Sequence, residues 1–232
     1  MTITVADIKT KVDLPDDIKS SAVKFSEGEY LYAIIKKNNF KKTLETGFGL
    51  GLSACHIITA TNAMHVGIDP FQSNYNSTGL KNVEKLGLNS LLEFYADYSH
   101  NVLPKLLNEK RTFDFIFIDG DHKYDGQFID FYYADLLLEK NGNIVLHDTW
   151  MRSTAYLVQY IKTNRKDYEL VKQDLRNIAV FKKVGTDNRN WLYFKGFGTS
   201  KSYFTHKTIA WLHNTNDSFL KRTVIKLKEI LK

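Results

Sequence analysis

The sequence predicts an α/β protein built on a doubly wound, mostly parallel sheet. Short apolar runs typical of strands alternate with helical patterns along residues 25–163, and this alternation implies parallel strands joined by helices. The run at 113–118 is almost continuously apolar, as expected for a strand covered on both faces. The last two runs, 168–171 and 178–184, lie too close in sequence for a helical crossover, so they predict an antiparallel hairpin at one edge of the sheet.

Each element follows from hydrophobic spacing and from the residues that begin or end it. The first helical pattern ends in the polar turn Lys36-Lys37-Asn38-Asn39, and the second strand ends at Asp69-Pro70. The predicted strands are residues 42–46, 65–69, 91–95, 113–118, 144–146, 168–171 and 178–184. The predicted helices are residues 25–37, 52–61, 77–86, 102–108, 124–138 and 153–163.

The chain divides into three parts by composition and pattern. We expect an arm or cap at residues 1–24, one domain at 25–184, and a basic, aromatic tail at 185–232 with nine Lys/Arg against three Asp/Glu. Apolar residues at helical spacing predict an amphipathic helix in that tail: Leu220, Val224, Leu227 and Leu231. Such a helix would pack on the domain or across a homodimer, or would make weak contact with a membrane surface or an anionic partner.

Composition also restricts where the protein acts. The sequence contains no transmembrane segment, and its amino terminus lacks the apolar core of a secretory signal, so we expect a cytoplasmic protein. The single cysteine, Cys55, excludes an internal disulfide and a cysteine-based zinc site. No RNA-binding motif accompanies the basic tail, which argues against a nucleic-acid partner.

The loop Glu45–Gly51 places three glycines at alternate positions between the first strand and the next helix. Glycine allows a sharp turn and the close approach of a ligand. Asp69 ends the second strand, where a carboxylate can accept both ribose hydroxyls of an adenosine in a Rossmann-like fold. The glycine loop and the position of Asp69 together predict a nucleotide-type cofactor here. The alternative for Asp69 is a helix cap or a surface turn.

The spacing of the glycines distinguishes two cofactors. Sites for NAD favour G-x-G-x-x-G, in which the start of the helix faces a pyrophosphate. Here the spacing is G-x-G-x-G with Glu45 in front, and a carboxylate would repel a pyrophosphate. The same carboxylate suits the amino group and sulfonium of S-adenosylmethionine (SAM). SAM is therefore the predicted cofactor, and an NAD-linked oxidoreductase is the alternative.

Acids and histidines follow the fourth and fifth strands. Because the carboxyl ends of parallel strands meet at one edge, Asp119 and Asp148 could together hold a divalent cation such as Mg²⁺. Alternatively, they bond loop amides and cap helices. His122 is the candidate general base, since imidazole can take a hydroxyl proton at neutral pH, and His147 is the second candidate. Arg152 and its neighbours Trp150 and Met151 could line an acceptor pocket.

The ordered motifs resemble those of class I SAM-dependent methyltransferases. They are the acid-x-G-x-G-x-G loop, Gly67-Ile68-Asp69-Pro70, Ala96-Asp97-Tyr98-Ser99 and the segment from Phe113 to Tyr124. The motifs most resemble those of the bacterial sugar and small-molecule O-methyltransferases, including macrocin O-methyltransferase-like and cephalosporin hydroxylase-like proteins. The catechol and caffeoyl-CoA O-methyltransferases look like more distant relatives. The resemblance implies that Asp97 lies near the adenine amino group and Tyr98 beside the ring. It implies this set of cofactor-binding residues: Glu45, Gly47, Phe48, Gly49, Gly51, Ser53, Asp69, Pro70, Asp97, Tyr98 and Asp119.

The resemblance also implies O-methylation of a hydroxylated small molecule, such as a sugar or sugar-linked metabolite. Metal-dependent relatives use acids at the positions of Asp119 and Asp148, and catechol-type relatives have a catalytic lysine at the position of His122. The metal-dependent relatives usually have an acid or asparagine next to the position of Asp148, where this chain has His147 and Thr149. A non-catalytic SAM-binding protein that uses its basic tail to engage an anionic partner is the remaining alternative.

Overall fold

The structure is a computed structural model, and it describes residues 3–198 of the chain. The helices of this part are α1 Val5–Lys11, α2 Phe25–Asn38, α3 Leu52–Thr61, α4 Thr78–Lys85, α5 Ser99–Asn108, α6 Tyr124–Leu137 and α7 Arg152–Asn164. The strands are β1 Thr43–Thr46, β2 His65–Ile68, β3 Leu92–Tyr95, β4 Phe113–Ile118, β5 Leu138–Leu146, β6 Tyr168–Val171 and β7 Ala179–Lys183. The amphipathic helix predicted for the tail lies outside the described residues, so its proposed contacts with a homodimer partner or a membrane surface stay predictions.

The strands form one sheet in the order β3-β2-β1-β4-β5-β7-β6. Strands β1 to β5 pair in parallel, whereas β7 runs antiparallel to both β5 and β6. This confirms the predicted parallel sheet with an antiparallel hairpin at its carboxy-terminal edge. The strand order reverses between β1 and β4, and ligands of such sheets bind at the carboxyl ends of the strands beside this reversal.

The sheet is covered on both faces, which explains the almost continuous apolar run of β4. Phe115 and Phe117 pack in the core on the face covered by α2 and α3. Ile116 and Ile118 pack in the core on the opposite face with α5, α6 and α7. Because successive side chains of a strand point to opposite faces, a strand buried on both sides must be apolar at nearly every position.

Two elements begin earlier than the sequence pattern predicts. The fifth strand begins at Leu138, six residues before the predicted start, and its register with β4 shifts between Phe113 and Phe115. Asn141 has a positive φ of 71° there, so a turn-like sequence is accommodated inside the strand. Helix α5 begins at Ser99, three residues before the predicted start, and the Asp97 carboxylate just before it accepts from Asn101 Nδ2 of the first turn at 2.9 Å.

The described part of the amino-terminal arm lies against the domain. In α1, the Thr4 side chain and the Asp7 carboxylate cap the helix reciprocally, and Ile8 is fully buried in the core. The Ser21 carbonyl oxygen lies close to Gly49 of the glycine loop, at 2.9 Å from where a Cβ would stand. In the part of the chain that the structure describes, no helix has the length and apolar character needed to cross a membrane.

Candidate active site

Backbone hydrogen bonds extend the parallel pairing past the strand ends and bring the predicted site residues into one row. The four bonds run from Asp69 N to Tyr95 O, Gly47 N to Ile68 O, Asp119 N to Thr46 O and His147 N to Ile118 O, at 2.8–3.1 Å. Because these are main-chain bonds, the row depends on the sheet and not on the side chains themselves. The loops after four strands therefore meet at the reversal of strand order.

The glycine loop requires glycine at its first position. Gly47 has a φ of +83°, a conformation that residues with a Cβ rarely adopt. A Cβ at Gly47 would also overlap the carbonyl oxygen of Asp119. The loop after β1 thus packs directly on the backbone of the loop after β4, and the two loops hold each other in place.

Asp69 organises the glycine loop from the end of β2. Its Oδ2 accepts from the N–H groups of Phe48 at 3.0 Å and Gly49 at 2.7 Å, while its Oδ1 accepts from Phe71 N at 2.7 Å. The side chain is buried, with 5% exposure. The alternative noted for this acid, a role in ordering a turn, is therefore present in the structure. Its contact with a ribose stays a prediction.

Glu45 lies beneath the loop rather than at its surface. The side chain is fully buried, and its Oε1 lies 3.3 Å from Nε2 of His65. The other ring nitrogen of His65, Nδ1, lies 2.9 Å from Thr43 Oγ1. Burial raises the pKa of the Glu45 carboxyl, and the neighbouring His65 partly offsets this. Ser53 is also buried, so the direct contacts of Glu45 and Ser53 with a cofactor stay predictions.

Aromatic rings surround the predicted adenine position, but not all of them face it. Tyr98 is 48% exposed and its ring packs edge-on against Phe71, with 5.8 Å between centroids. Phe48 is buried and packs on Phe94 at 5.1 Å. The exposed pair Tyr98 and Phe71 therefore offers a surface for a planar ring, whereas Phe48 takes part in the loop through its backbone. Asp97 accepts from Tyr98 N at 2.7 Å, and its adenine contact stays a prediction.

The carboxylates after β4 and β5 meet around one imidazole. His122 Nε2 lies 3.2 Å from Asp148 Oδ2 and 3.7 Å from Asp119 Oδ1. One donor atom from each of these three residues lies within 4.8 Å of the others. The side chain of His122 is 40% exposed, so it forms the solvent side of the cluster. The neighbouring carboxylates of Asp119 and Asp148 raise the pKa of His122 to about 9.

His147 forms the inner side of the same cluster. Its Nδ1 lies 2.8 Å from Asp119 Oδ1, and its Nε2 lies 3.1 Å from Glu27 Oε2. Burial by itself would lower the pKa of His147, but the Asp119 and Glu27 carboxylates outweigh it and raise that pKa to about 10. Both ring nitrogens of His147 face carboxylate oxygens, so neither is open to a substrate hydroxyl. The geometry therefore favours an orienting role for His147.

Residues 44–149 match a family model described as a methyltransferase domain. The chain carries a methyltransferase domain. The matched segment begins in β1 and ends just after Asp148, so it covers the glycine loop and the acids at both strand ends. The predicted resemblance to class I SAM-dependent methyltransferases is confirmed.

Curated relatives and solved structures agree with this assignment. The chain is 30% identical over 127 residues to caffeoyl-CoA O-methyltransferase 5 of Nicotiana tabacum, across 53% of this chain and 51% of that protein. The chain spans only 51% to 60% of the length of the first curated relatives it matches.

Two solved structures share the fold of the methyltransferase domain. An O-methyltransferase from Bacillus cereus in complex with SAH gives a TM-score of 0.63 at 18% identity, covering 78% of this chain and 89% of that chain. The O-methyltransferase TomG from Streptomyces achromogenes in complex with SAM gives a TM-score of 0.60 at 18% identity, covering 78% and 88%.

Two residues that the sequence did not single out complete the cluster of the methyltransferase domain. Glu27 comes from α2, and Asn177 comes from the turn between β6 and β7. Asn177 Nδ2 lies 3.1 Å from Glu27 Oε1 and 3.1 Å from Asp148 Oδ1. Trp150, predicted for an acceptor pocket, donates from Nε1 to Asp148 Oδ1 at 2.8 Å, and its contact with an acceptor stays a prediction. The one sequence signal for Glu27 was its position as the third residue of a helix, three after the N-cap Lys24, which is typical of a capping acid.

A cavity of about 460 Å³ lies between the first turns of α6 and α7. Both helices begin close to residues of the cluster. Tyr124 starts α6 two residues after His122, and Arg152 starts α7 four residues after Asp148. The cavity therefore opens at the same edge of the methyltransferase domain as the cluster. Its lining includes the predicted Arg152 and is otherwise mainly aromatic: Tyr124, Arg152, Ser153, Tyr156 and Phe197.

Asp130 is a buried acid that lies beside the backbone of the loop after β4. It lies on α6 with 1% exposure, and its Oδ2 would be 3.4 Å from a Cβ at Gly120, beside Asp119. Burial raises its pKa to about 6, and the hydroxyls of Ser99 and Thr46 partly offset this. Above that pKa the ionised group destabilises the folded state, and as the pH falls toward 3.8 the destabilisation disappears.

Replacing Asp130 with asparagine should therefore stabilise the domain in a pH-dependent way. We expect a gain of about 3 kcal/mol in the free energy of unfolding at pH 8, falling to roughly half at pH 5. Urea unfolding at the two pH values measures this difference. The control is Asp125→Asn at an exposed position of the same helix, which should change little at either pH. A pH-independent effect of Asp130→Asn would contradict the argument.

Proposed function

We propose that this protein is a SAM-dependent O-methyltransferase that acts on a hydroxyl group of a small molecule. The observation that carries the proposal is the cluster of Asp119, His122 and Asp148 beside the glycine loop of a methyltransferase domain. Relatives named as caffeoyl-CoA and flavonoid methyltransferases support an acceptor with a hydroxyl group. A sugar or sugar-linked acceptor and a cytoplasmic location are kept as the finer parts of the proposal.

The glycine loop supports SAM over NAD as the cofactor. The N–H groups of Phe48 and Gly49 donate to Asp69, so the loop does not offer them to a pyrophosphate. SAM has no phosphate and needs a different set of partners. In this proposal its ribose lies at Asp69 and its adenine against the exposed rings of Tyr98 and Phe71.

The chemistry of the cluster fits a divalent cation. Glu27, Asp119 and Asp148 supply three carboxylates, and the protonated His147 balances one of them. With His122 neutral, a double negative charge remains at Asp119 and Asp148. That charge matches one divalent ion, and carboxylate oxygens suit Mg²⁺. When bound, such an ion would polarise the acceptor oxygen and lower the pKa of its hydroxyl.

His122 is the residue that we propose to take the acceptor proton. It lies on the solvent side of the cluster, where an acceptor hydroxyl can reach it. The two carboxylates hold it protonated at neutral pH, because they raise its pKa to about 9. It can therefore act as a base only when their charge is balanced by another group. Without that balance, His122 pairs with Asp119 and Asp148 and covers them from solvent.

The cavity beside the cluster is the proposed acceptor site. Its aromatic lining would hold a planar or apolar body, and the first turns of α6 and α7 would direct a hydroxyl toward His122. The main contribution of the residues is to hold the acceptor oxygen in line with the methyl carbon and sulfur, since such positioning supplies much of the acceleration in transfer reactions.

Titration calorimetry of the full chain with SAM, S-adenosylhomocysteine and NAD, each with and without Mg²⁺, tests the cofactor. We expect SAM and S-adenosylhomocysteine to bind and NAD to give no heat of binding, because the loop amides are engaged by Asp69. Binding of NAD without SAM would favour the oxidoreductase alternative. Binding of SAM without methyl transfer to caffeoyl-CoA or other hydroxylated acceptors would favour the non-catalytic alternative.

A further inference from the structure

We propose that Glu27 is a positioning residue of the active site, which acts by holding His147 against Asp119. The proposal rests on the proposed function, since it concerns the same cluster. It also makes α2, which precedes the matched methyltransferase segment, a part of the catalytic machinery. No feature of the sequence pointed to a link between residue 27 and residues more than ninety positions away.

The contacts of Glu27 use both oxygens of its carboxylate. Oε2 accepts from Lys24 N at 2.7 Å and lies 3.1 Å from His147 Nε2, while Oε1 accepts from Asn177 Nδ2 at 3.1 Å. The side chain is only 4% exposed. Burial of a carboxylate is costly unless charged or hydrogen-bonding partners compensate it, and here the His147 ring, the Asn177 amide and the Lys24 N–H are those partners.

The ring of His147 transmits the position of Glu27 to Asp119. Its Nδ1 lies 2.8 Å from Asp119 Oδ1, so the planar ring spans the two carboxylates. The ring also packs edge-on against Phe117 of β4, with 5.8 Å between centroids. With both ring nitrogens facing carboxylates and one edge packed, the ring cannot turn without losing a buried contact. The direction of the Asp119 carboxylate is therefore set from α2.

A purely structural role for Glu27 would be to cap α2. In that role only the bond from Lys24 N is needed, as in α1, where Asp7 accepts from Thr4 N at 3.0 Å. Asp7 is the same kind of cap, but it is only partly buried and has no histidine partner in the described chain. Glu27 differs by its burial and by its bond to His147. This difference gives a matched pair of variants.

The test compares Glu27→Gln with Asp7→Asn. Both changes turn a capping acid into its amide, but only Glu27→Gln removes the charge that faces His147. We expect Glu27→Gln to remove the hydrogen-bonded Nε2–H signal of His147 in proton NMR at a fixed pH. We expect it to weaken Mn²⁺ binding, measured by electron paramagnetic resonance, about 10- to 100-fold, as for other residues that orient metal ligands. The affinity for SAM should stay within about twofold, and Asp7→Asn should match the wild type in all three.

Several outcomes would overturn the inference. An unchanged ring signal and unchanged Mn²⁺ affinity in a folded Glu27→Gln protein would show that Glu27 is only a cap. If that variant does not fold, the wild type still decides, because a His147 ring without a bonded Nε2–H contradicts the link. Wild-type protein that binds neither SAM nor Mn²⁺ would instead contradict the proposed function, while the ring signal continues to test Glu27 separately.

Discussion

Replacing Asp148 with asparagine is expected to lower kcat for methyl transfer at least about 100-fold, a loss of roughly 3 kcal/mol of transition-state stabilisation. Asp148 has a φ of +51°, which asparagine also tolerates, so the backbone should keep its shape. The amide oxygen can still accept from Trp150 and Asn177 as Oδ1 does now. What disappears is the charge that faces His122 and the proposed cation. Methyl transfer from SAM, with caffeoyl-CoA as the first acceptor tested, measures the effect.

The matched control for this variant is Asp174→Asn, an exposed acid on the turn between β6 and β7. This variant makes the same replacement of acid by amide close to Asn177 but outside the cluster. We expect it to transfer methyl groups at the wild-type rate. The affinity of Asp148→Asn for SAM should change little, since the proposed ribose and adenine contacts follow β2 and β3, on the other side of the strand reversal. Near wild-type activity in Asp148→Asn would exclude an essential charge at this position and, with it, the proposed cation site.

Replacing Gly47 with alanine is expected to destabilise the fold by about 2–5 kcal/mol and to abolish measurable SAM binding. The alanine would have to adopt the left-handed backbone conformation of Gly47, at φ +83°, which is strained for a residue with a Cβ. It would also overlap the Asp119 carbonyl, so the loops after β1 and β4 would have to move apart. Thermal unfolding and calorimetry with SAM measure the two effects.

Gly87→Ala separates backbone strain from steric overlap. Gly87 has a similar φ of +67°, but a Cβ there would have no neighbour within 4 Å. We expect a loss of about 1–2 kcal/mol from strain alone and an unchanged affinity for SAM. Equal effects of the two substitutions would mean that the contact between Gly47 and Asp119 does not matter for the site.

The positions of the main site residues could be predicted because the sheet itself supplies them. In a parallel sheet the carboxyl ends of neighbouring strands meet, so an acid directly after β4 must lie near an acid directly after β5. That reasoning brought Asp119, His122, His147 and Asp148 together before any side chain was placed, and the structure has them in one cluster. The hairpin of β6 and β7 followed in the same way from the short spacing of two apolar runs.

The orientations of side chains could not be predicted by this reasoning. The Glu45 carboxylate lies buried beside His65, which the spacing of the motif did not indicate, and its contact with a cofactor stays a prediction. The Phe48 ring packs in the core, so its predicted place among the cofactor contacts rests on its backbone. Both follow from which face of β1 and of the loop each side chain occupies, and that depends on the packing of α3 against the sheet rather than on the order of residues.

By itself, the sequence determined the α/β class, the place of the glycine loop, and the acids and histidines at the strand ends, because hydrophobic period and glycine spacing are local properties. Only the tertiary structure decided that Glu27 and Asn177 join these residues and that both ring nitrogens of His147 face carboxylate oxygens. The physical reason is that a buried charge needs partners close to it in space. Residues of α2, of the loop after β5 and of the turn after β6 come together only when the helices pack on the sheet.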